Sequence, residues 1–179
     1  MVHTGQHSVQ RSWWIAILPM VVAYCADLWS KEAVLTTMEQ GESRAVLEPL
    51  LYWRFIRNPG AAFSIGVEYT WIFTIIQAVG LIVVTYLILR RARTTTWLIT
   101  LGALAGGIAG NLTDRLFRDP GFGVGHVIDF ISVPNFAIFN VADSFIVVSI
   151  IVIVLLVMTG KTMDGIPEKT ADISSHDNT

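Results

Sequence analysis

Residues Ala137 to Thr159 read AIFNVADSFIVVSIIVIVLLVMT. Beyond Asp143 the run carries no charge, and its length suits a helix crossing a bilayer core, which needs about 20 apolar residues. A charged side chain at membrane depth costs about 2.5–3.5 kcal/mol on insertion scales. Asp143 nevertheless stands at the mouth of this run. Asp129 lies 14 positions earlier, in a short polar loop, and Asp114 closes the preceding apolar run. Three carboxylates gathered around one loop point to chemistry or transport.

The rest of the chain agrees with a membrane setting. Of 179 residues, 53% are hydrophobic and only 15% charged, with mean hydropathy +0.59; a soluble domain carries about 25% charged residues. The net charge is -2, and no basic cluster interleaves with aromatics, so no nucleic-acid partner is expected. Cys25 is the one cysteine, which excludes an intrachain disulfide and a cysteine-rich metal site. It is expected to be buried in a span and inert. The apolar run from Trp13 resembles a secretory leader but lacks a small-residue cleavage site, and Asp27 and Lys31 flank it. It reads as a retained first span.

Four spans are expected, at about 13–29, 69–89, 96–113 and 137–159, within a membrane domain of residues 12–160. Polar tails cover 1–11 and 161–179, the latter expected to be mobile. Asp27 and Lys31 are four apart and share a helix face. Residues 32–68 form a long loop in which Leu51, Trp53 and Phe55 alternate, which suggests a short strand, before the turn Asn58-Pro59-Gly60. The third span holds Gly102, Gly106, Gly107 and Gly110, small residues that let membrane helices approach closely. A Pro- and Gly-punctuated loop is expected from Leu116 to about Asn135. Four spans put both termini on one side. Asp27, Lys31, Asn58, Asn111, Asp114, Arg115, Asp129, Asn140 and Asp143 then converge on the other. Basic residues tie at six per side, but the dense block Arg90, Arg91, Arg93 sits in a very short loop, which puts the termini in the cytoplasm.

Each candidate has a plain structural reading. Asp114 and Arg115 read equally as a helix-end charge pair. Asp129 lies among Val127, Ile128, Phe130 and Ile131 and reads as a helix N-cap or buried hydrogen-bonder as readily as a functional acid. His126 reads as structural. Asn140 and Asp143 share a face of the fourth span, and Asp143 suits the positive end of a helix dipole. That accounts for one acid and leaves the other. Two carboxylates at close range share one proton, as water-activating peptidases require. Ser144 and Ser149 lack a His or Lys at their depth, and no His-Glu-x-x-His pattern occurs.

Five ordered motifs carry a family resemblance: Asp27-x-x-x-Lys31; Arg57-Asn58-Pro59-Gly60-Ala61-Ala62-Phe63-Ser64; Gly110-Asn111-x-x-Asp114-Arg115; Val127-Ile128-Asp129-Phe130; and Phe139-Asn140-Val141-Ala142-Asp143-Ser144. Over residues 13–160 the chain resembles the bacterial lipoprotein signal peptidases, or signal peptidase II. The resemblance implies an all-α, four-span aspartyl endopeptidase of the bacterial inner membrane, with a small extracytoplasmic β element and no metal or other cofactor. Its substrate would be a prolipoprotein, cut just before a diacylglyceryl cysteine near the outer face. Asp129 and Asp143 match the catalytic pair. Asn111, Asp114, Arg115, Asn140 and Ala142 match the surrounding shell. Asn58 and Gly60 fall in a substrate-facing loop, and Asp27 and Lys31 in the first-span motif. Asp129 is preferred to Asp114 because its loop can fold back over Asp143, whereas Asp114 adjoins Arg115. The segment Arg118–Gly123 is longer than in many members. The chain is expected to act as a monomer in membrane lipid. A proton-relay transporter and a non-catalytic assembly factor are the rival readings; four spans without an inverted repeat weigh against the transporter.

Overall fold

The computed structural model describes residues 12–60 and 69–165. The tails at 1–11 and 166–179, and the Ala61–Ser64 part of the loop motif, lie outside the described residues. A 3-10 turn, Trp13–Ala16, leads into α1 (Ile17–Thr37). There follow β1 (Ser43–Leu47), β2 (Leu51–Asn58), α2 (Thr70–Arg90), α3 (Thr95–Phe117), β3 (Val127–Ser132) and α4 (Val141–Met158).

Three of the helical segments, Trp13–Thr37, Thr70–Arg90 and Val141–Met158, are long and apolar enough to cross a membrane. Their outward faces stay apolar, with Ile75, Ile82, Val147 and Leu155 exposed. α3 is as long but falls short in apolarity. It is the centre of the bundle, packing against α1, α2 and α4. Fourteen of its residues are buried, against four each in α1 and α2 and three in α4. A helix covered by protein needs less apolar surface than one covered by lipid, so α3 can carry Asn111, Asp114 and Arg115 in its last two turns. Its glycines allow the close packing: a Cβ at Gly106 would collide with the Met20 carbonyl, and one at Gly107 with the Ala142 carbonyl.

α1 continues eight residues beyond the expected end at Trp29. Asp27 and Lys31 do not terminate it because both turn inward and pair. Ala23, Asp27, Lys31 and Val34 form its buried stripe. Cys25, two residues past Ala23, falls on the opposite side and is exposed, contrary to expectation. The tail after Lys161 is docked at its start: Trp97 Nε1 donates to the Lys161 carbonyl at 2.9 Å, and Arg93 N to that of Met163 at 2.8 Å.

The β element is a three-stranded antiparallel sheet in the order β1-β2-β3. The expected strand is found as β2. β3 replaces the loop expected through residue 135, and β1 was unforeseen. Register between β2 and β3 passes from Trp53↔Ile131 to Ile56↔Asp129, so Arg54 and Phe55 together oppose Phe130. This bulge breaks the alternation read in the sequence: Phe55 is buried while Trp53 is exposed. Phe55, Ile128 and Phe130 pack on Val34 of α1 and on Met38 just after it, fastening the sheet to the bundle.

Candidate active site

Asp129 comes to the site from the middle of β3, a buried strand, and not from a loop or helix N-cap as the sequence suggested. Asp143 comes from the first turn of α4. That helix starts at Val141, four residues later than expected, because Phe139 is still extended and bridges Ile131. Asn140 is its N-cap. The Asn140 side chain accepts from Asp143 N at 2.9 Å, and Asp143 Oδ2 accepts from Asn140 N at 3.1 Å, a reciprocal capping box. Asn140 is therefore tied to Asp143 by capping, not by a shared helical face.

Asp129 and Asp143 line the same cavity, of about 1160 Å³, bounded also by Asn58, Phe139, Ile146 and Val147. Three asparagines hold the two acids, and two of them, Asn111 and Asn140, link one acid to the other. Asn58 Nδ2 donates to Asp129 Oδ2 at 2.8 Å, and Asn140 Nδ2 to Asp129 Oδ1 at 2.7 Å. Asn111 Nδ2 donates to Asp143 Oδ1 at 2.7 Å. With the Asn140 backbone N–H on Asp143 Oδ2, all four carboxylate oxygens receive an N–H.

The direction of each amide is set by a group that can only donate. Gly60 N gives its hydrogen to Asn58 Oδ1 at 3.0 Å, which turns the Asn58 amino group onto Asp129. Asp143 N does the same for Asn140. Lys31 Nζ donates to Asn111 Oδ1 at 3.0 Å, turning the Asn111 amino group to Asp143. Burial, then the charge of Asp143, push the Asp129 carboxyl from 3.8 up to about 7, against the opposing pull of its asparagine donors. One proton held at Asp129 near neutrality is the condition for acid–base work on a water.

Behind these residues lies a buried ionic group. Lys31 sits 2.6 Å from Asp27 Oδ2 and 2.8 Å from Asp114 Oδ2, all three fully buried. Asp27 Oδ1 accepts from Ala142 N at 2.9 Å, so α1 holds the start of α4. Asp114 does not pair with Arg115. It pairs with Lys31 and with Arg118 Nε at 2.5 Å, and accepts from Ile128 N at 3.2 Å. Adjacent helical residues point about 100° apart, which separates Asp114 from Arg115. Arg115 Nη1 donates to the carbonyls of Asn58 (3.0 Å) and Gly125 (2.9 Å), joining the end of β2 to the approach to β3. Asp27, Lys31, Asn58, Gly60, Asn111, Asp114, Arg115, Asn140 and Ala142 thus all enter one connected cluster with the two acids. Arg118, which also reaches Glu32 Oε1 at 2.8 Å, was not singled out in the sequence. Its place one turn after Asp114 was the available signal. His126 lies toward Arg115 and Arg57; burial foremost, then their charge, lowers its pKa.

Comparison with known proteins identifies the family. The family model described as Signal peptidase (SPase) II matches residues 19–159. The lipoprotein signal peptidase of Leifsonia xyli subsp. xyli is 48% identical over 153 residues, covering 83% of this chain and 70% of that protein. That of Streptomyces griseus subsp. griseus is 50% identical over 149 residues, covering 83% and 76%. A solved bacterial membrane enzyme, determined in meso at 2.3 Å, superposes with a TM-score of 0.72 at 30% identity, over 80% of this chain and 87% of its own. The helices that sheathe α3, the site they enclose and these likenesses converge: the chain is a membrane protein and belongs to the signal peptidase II family of proteases.

Proposed function

We propose that the chain is an aspartyl endopeptidase that removes the signal peptide from prolipoproteins, cutting just before a diacylglyceryl cysteine. The observation that carries the reading is the pair Asp129 and Asp143 on one cavity, with every carboxylate oxygen accepting an N–H. A water between them loses a proton to Asp143 as its oxygen attacks the scissile carbonyl carbon. Asp129 gives its proton to the carbonyl oxygen. When the tetrahedral intermediate collapses, the C–N bond breaks, Asp143 passes its proton to the departing cysteine nitrogen, and Asp129 recovers one from the hydroxyl. The amides hold whichever carboxylate is ionised without moving.

The substrate is an apolar signal helix ending in a lipidated residue, and both parts partition into the bilayer. The cavity suits such a chain, since polar acids sit at one end and Ile146 and Val147 of α4 continue its wall. In this reading α3 is a fourth span shielded by its neighbours. Both termini are cytoplasmic, the site lies near the outer face of the inner membrane, and one chain in membrane lipid suffices. Purified Asp129→Asn and Asp143→Asn variants should remain inserted and fail to cut a diacylglyceryl prolipoprotein in a gel-shift assay. Substantial turnover by either would remove that residue from the pair, and ion flux without cleavage would favour a transporter.

A further inference from the structure

We propose that Lys31 is a positioning residue: through the Asn111 carboxamide it keeps a polarised N–H on Asp143. The inference rests on the aspartyl reading above and concerns how that pair is held.

Lys31 Nζ has three hydrogens and three partners: Asp27 Oδ2 at 2.6 Å, Asp114 Oδ2 at 2.8 Å and Asn111 Oδ1 at 3.0 Å. Two of these are charge partners and are what any buried cation requires. The third is a neutral amide whose far end touches Asp143 at 2.7 Å. The path from ammonium to Asp143 crosses from α1 through α3 to α4 in two hydrogen bonds. A carboxamide has nearly the same shape either way round, so its direction depends on what donates to its oxygen. Asn140 Nδ2 is a second donor there, at 3.0 Å, but a neutral one. The cation on Oδ1 draws electron density from the amide and makes Nδ2–H the stronger donor to Asp143. Lys31 itself is fully buried, and Asn111 stands between it and the pair.

The consequence is kinetic. Lys31→Met should lower kcat by roughly 10- to 100-fold, the size of one hydrogen bond to a charged group, and leave KM unchanged. The decisive arm is the same substitution in an Asn111→Ala background, followed by single-turnover cleavage. There Lys31→Met should cost no further rate, because the residue through which it acts is gone. A full second loss in that background, or a rise in KM at constant kcat, would overturn the proposal. Lys31→Met alone leaves two buried carboxylates without their shared cation and can fail to fold. Asp27→Asn/Asp114→Asn, with and without Lys31→Met, then supplies the same comparison in a site without those charges, and an equal kcat in the two would also overturn it. Asp129→Asn and Asp143→Asn run alongside: turnover there would undo the aspartyl reading, whereas additive losses with inert aspartate variants would undo only the role of Lys31.

Discussion

Asp129→Asn should make the protein more stable above neutrality while abolishing its activity. The Asp129 carboxyl is displaced from 3.8 to about 7, with burial the largest cause. A displacement of that size corresponds to about 4 kcal/mol between the two protonation states. Between these values the folded chain binds more protons at this position than the unfolded chain does. The folded state therefore loses stability as pH rises from about 4 to about 7, and the loss is complete above that window. Asparagine cannot ionise and escapes it. It does not escape its neighbours, because both oxygens of Asp129 now accept amino hydrogens from Asn58 and Asn140, and an asparagine offers one oxygen and one amino group. One donor then faces another, at about 1–3 kcal/mol. The net expectation is a variant about 1–3 kcal/mol more stable than the parent at pH 8.5 and equal or less stable at pH 4.5. Denaturant unfolding in detergent micelles at the two pH values measures the difference. A gap between variant and parent that stays constant with pH, or shrinks as pH rises, would refute the placement of this carboxyl in a desolvated site.

Gly110→Ala should damage the site from outside it. A Cβ there would collide with the Asp27 carboxylate, which holds both Lys31 and the start of α4, so roughly 1–3 kcal/mol of stability should be lost with most of the cleavage activity. Normal thermal stability in that variant would show that the α1–α3 contact can relax. Asn58→Ala removes a hydrogen bond that lowers the pKa of Asp129, so the alkaline limb of the activity profile should move to higher pH. A limb unmoved by the substitution would mean that Asp129 does not set it.

Of the outer helices, α2 was legible to within a residue at each end, whereas the end of α1 and the start of α4, where the polar cluster sits, were misplaced by eight and four residues. α2 was read at 69–89 and found at Thr70–Arg90, because an uncharged run that ends in arginines has one reading. α3 was harder to classify. Its glycines, Asn111, Asp114 and Arg115 are tolerated because other helices cover it, and a lipid-based scale undervalues such a helix. β3 was missed because Val127, Ile128, Asp129 and Phe130 are all buried, so no alternation marks them, and because glycines and prolines on either side read as loop. The bulge in β2 hides in the same way: Arg54 and Phe55 oppose one residue, a pairing no single strand displays. Every residue of the cluster except Arg118 was nameable from its motif. Their connections were not, since a motif records spacing and not which way an amide turns. Asp114 shows the difference, being adjacent to Arg115 in sequence and bonded to Lys31 and Arg118 in space.

The orientation of the three asparagine amides has a consequence for proton traffic. Amide hydrogens do not titrate at working pH, and each of these is aimed inward at an acid. They can stabilise charge but cannot carry it away. Behind the pair the Asn111 amide separates the acids from the ionic group of Lys31, Asp27 and Asp114, and among the described residues no titratable side chain hydrogen-bonds either acid, so the two acids form a cul-de-sac. In the proposed reaction a proton enters or leaves from the cavity side, where water and the peptide bond would meet the acids, and each turnover would return the pair to its starting state through the reaction itself.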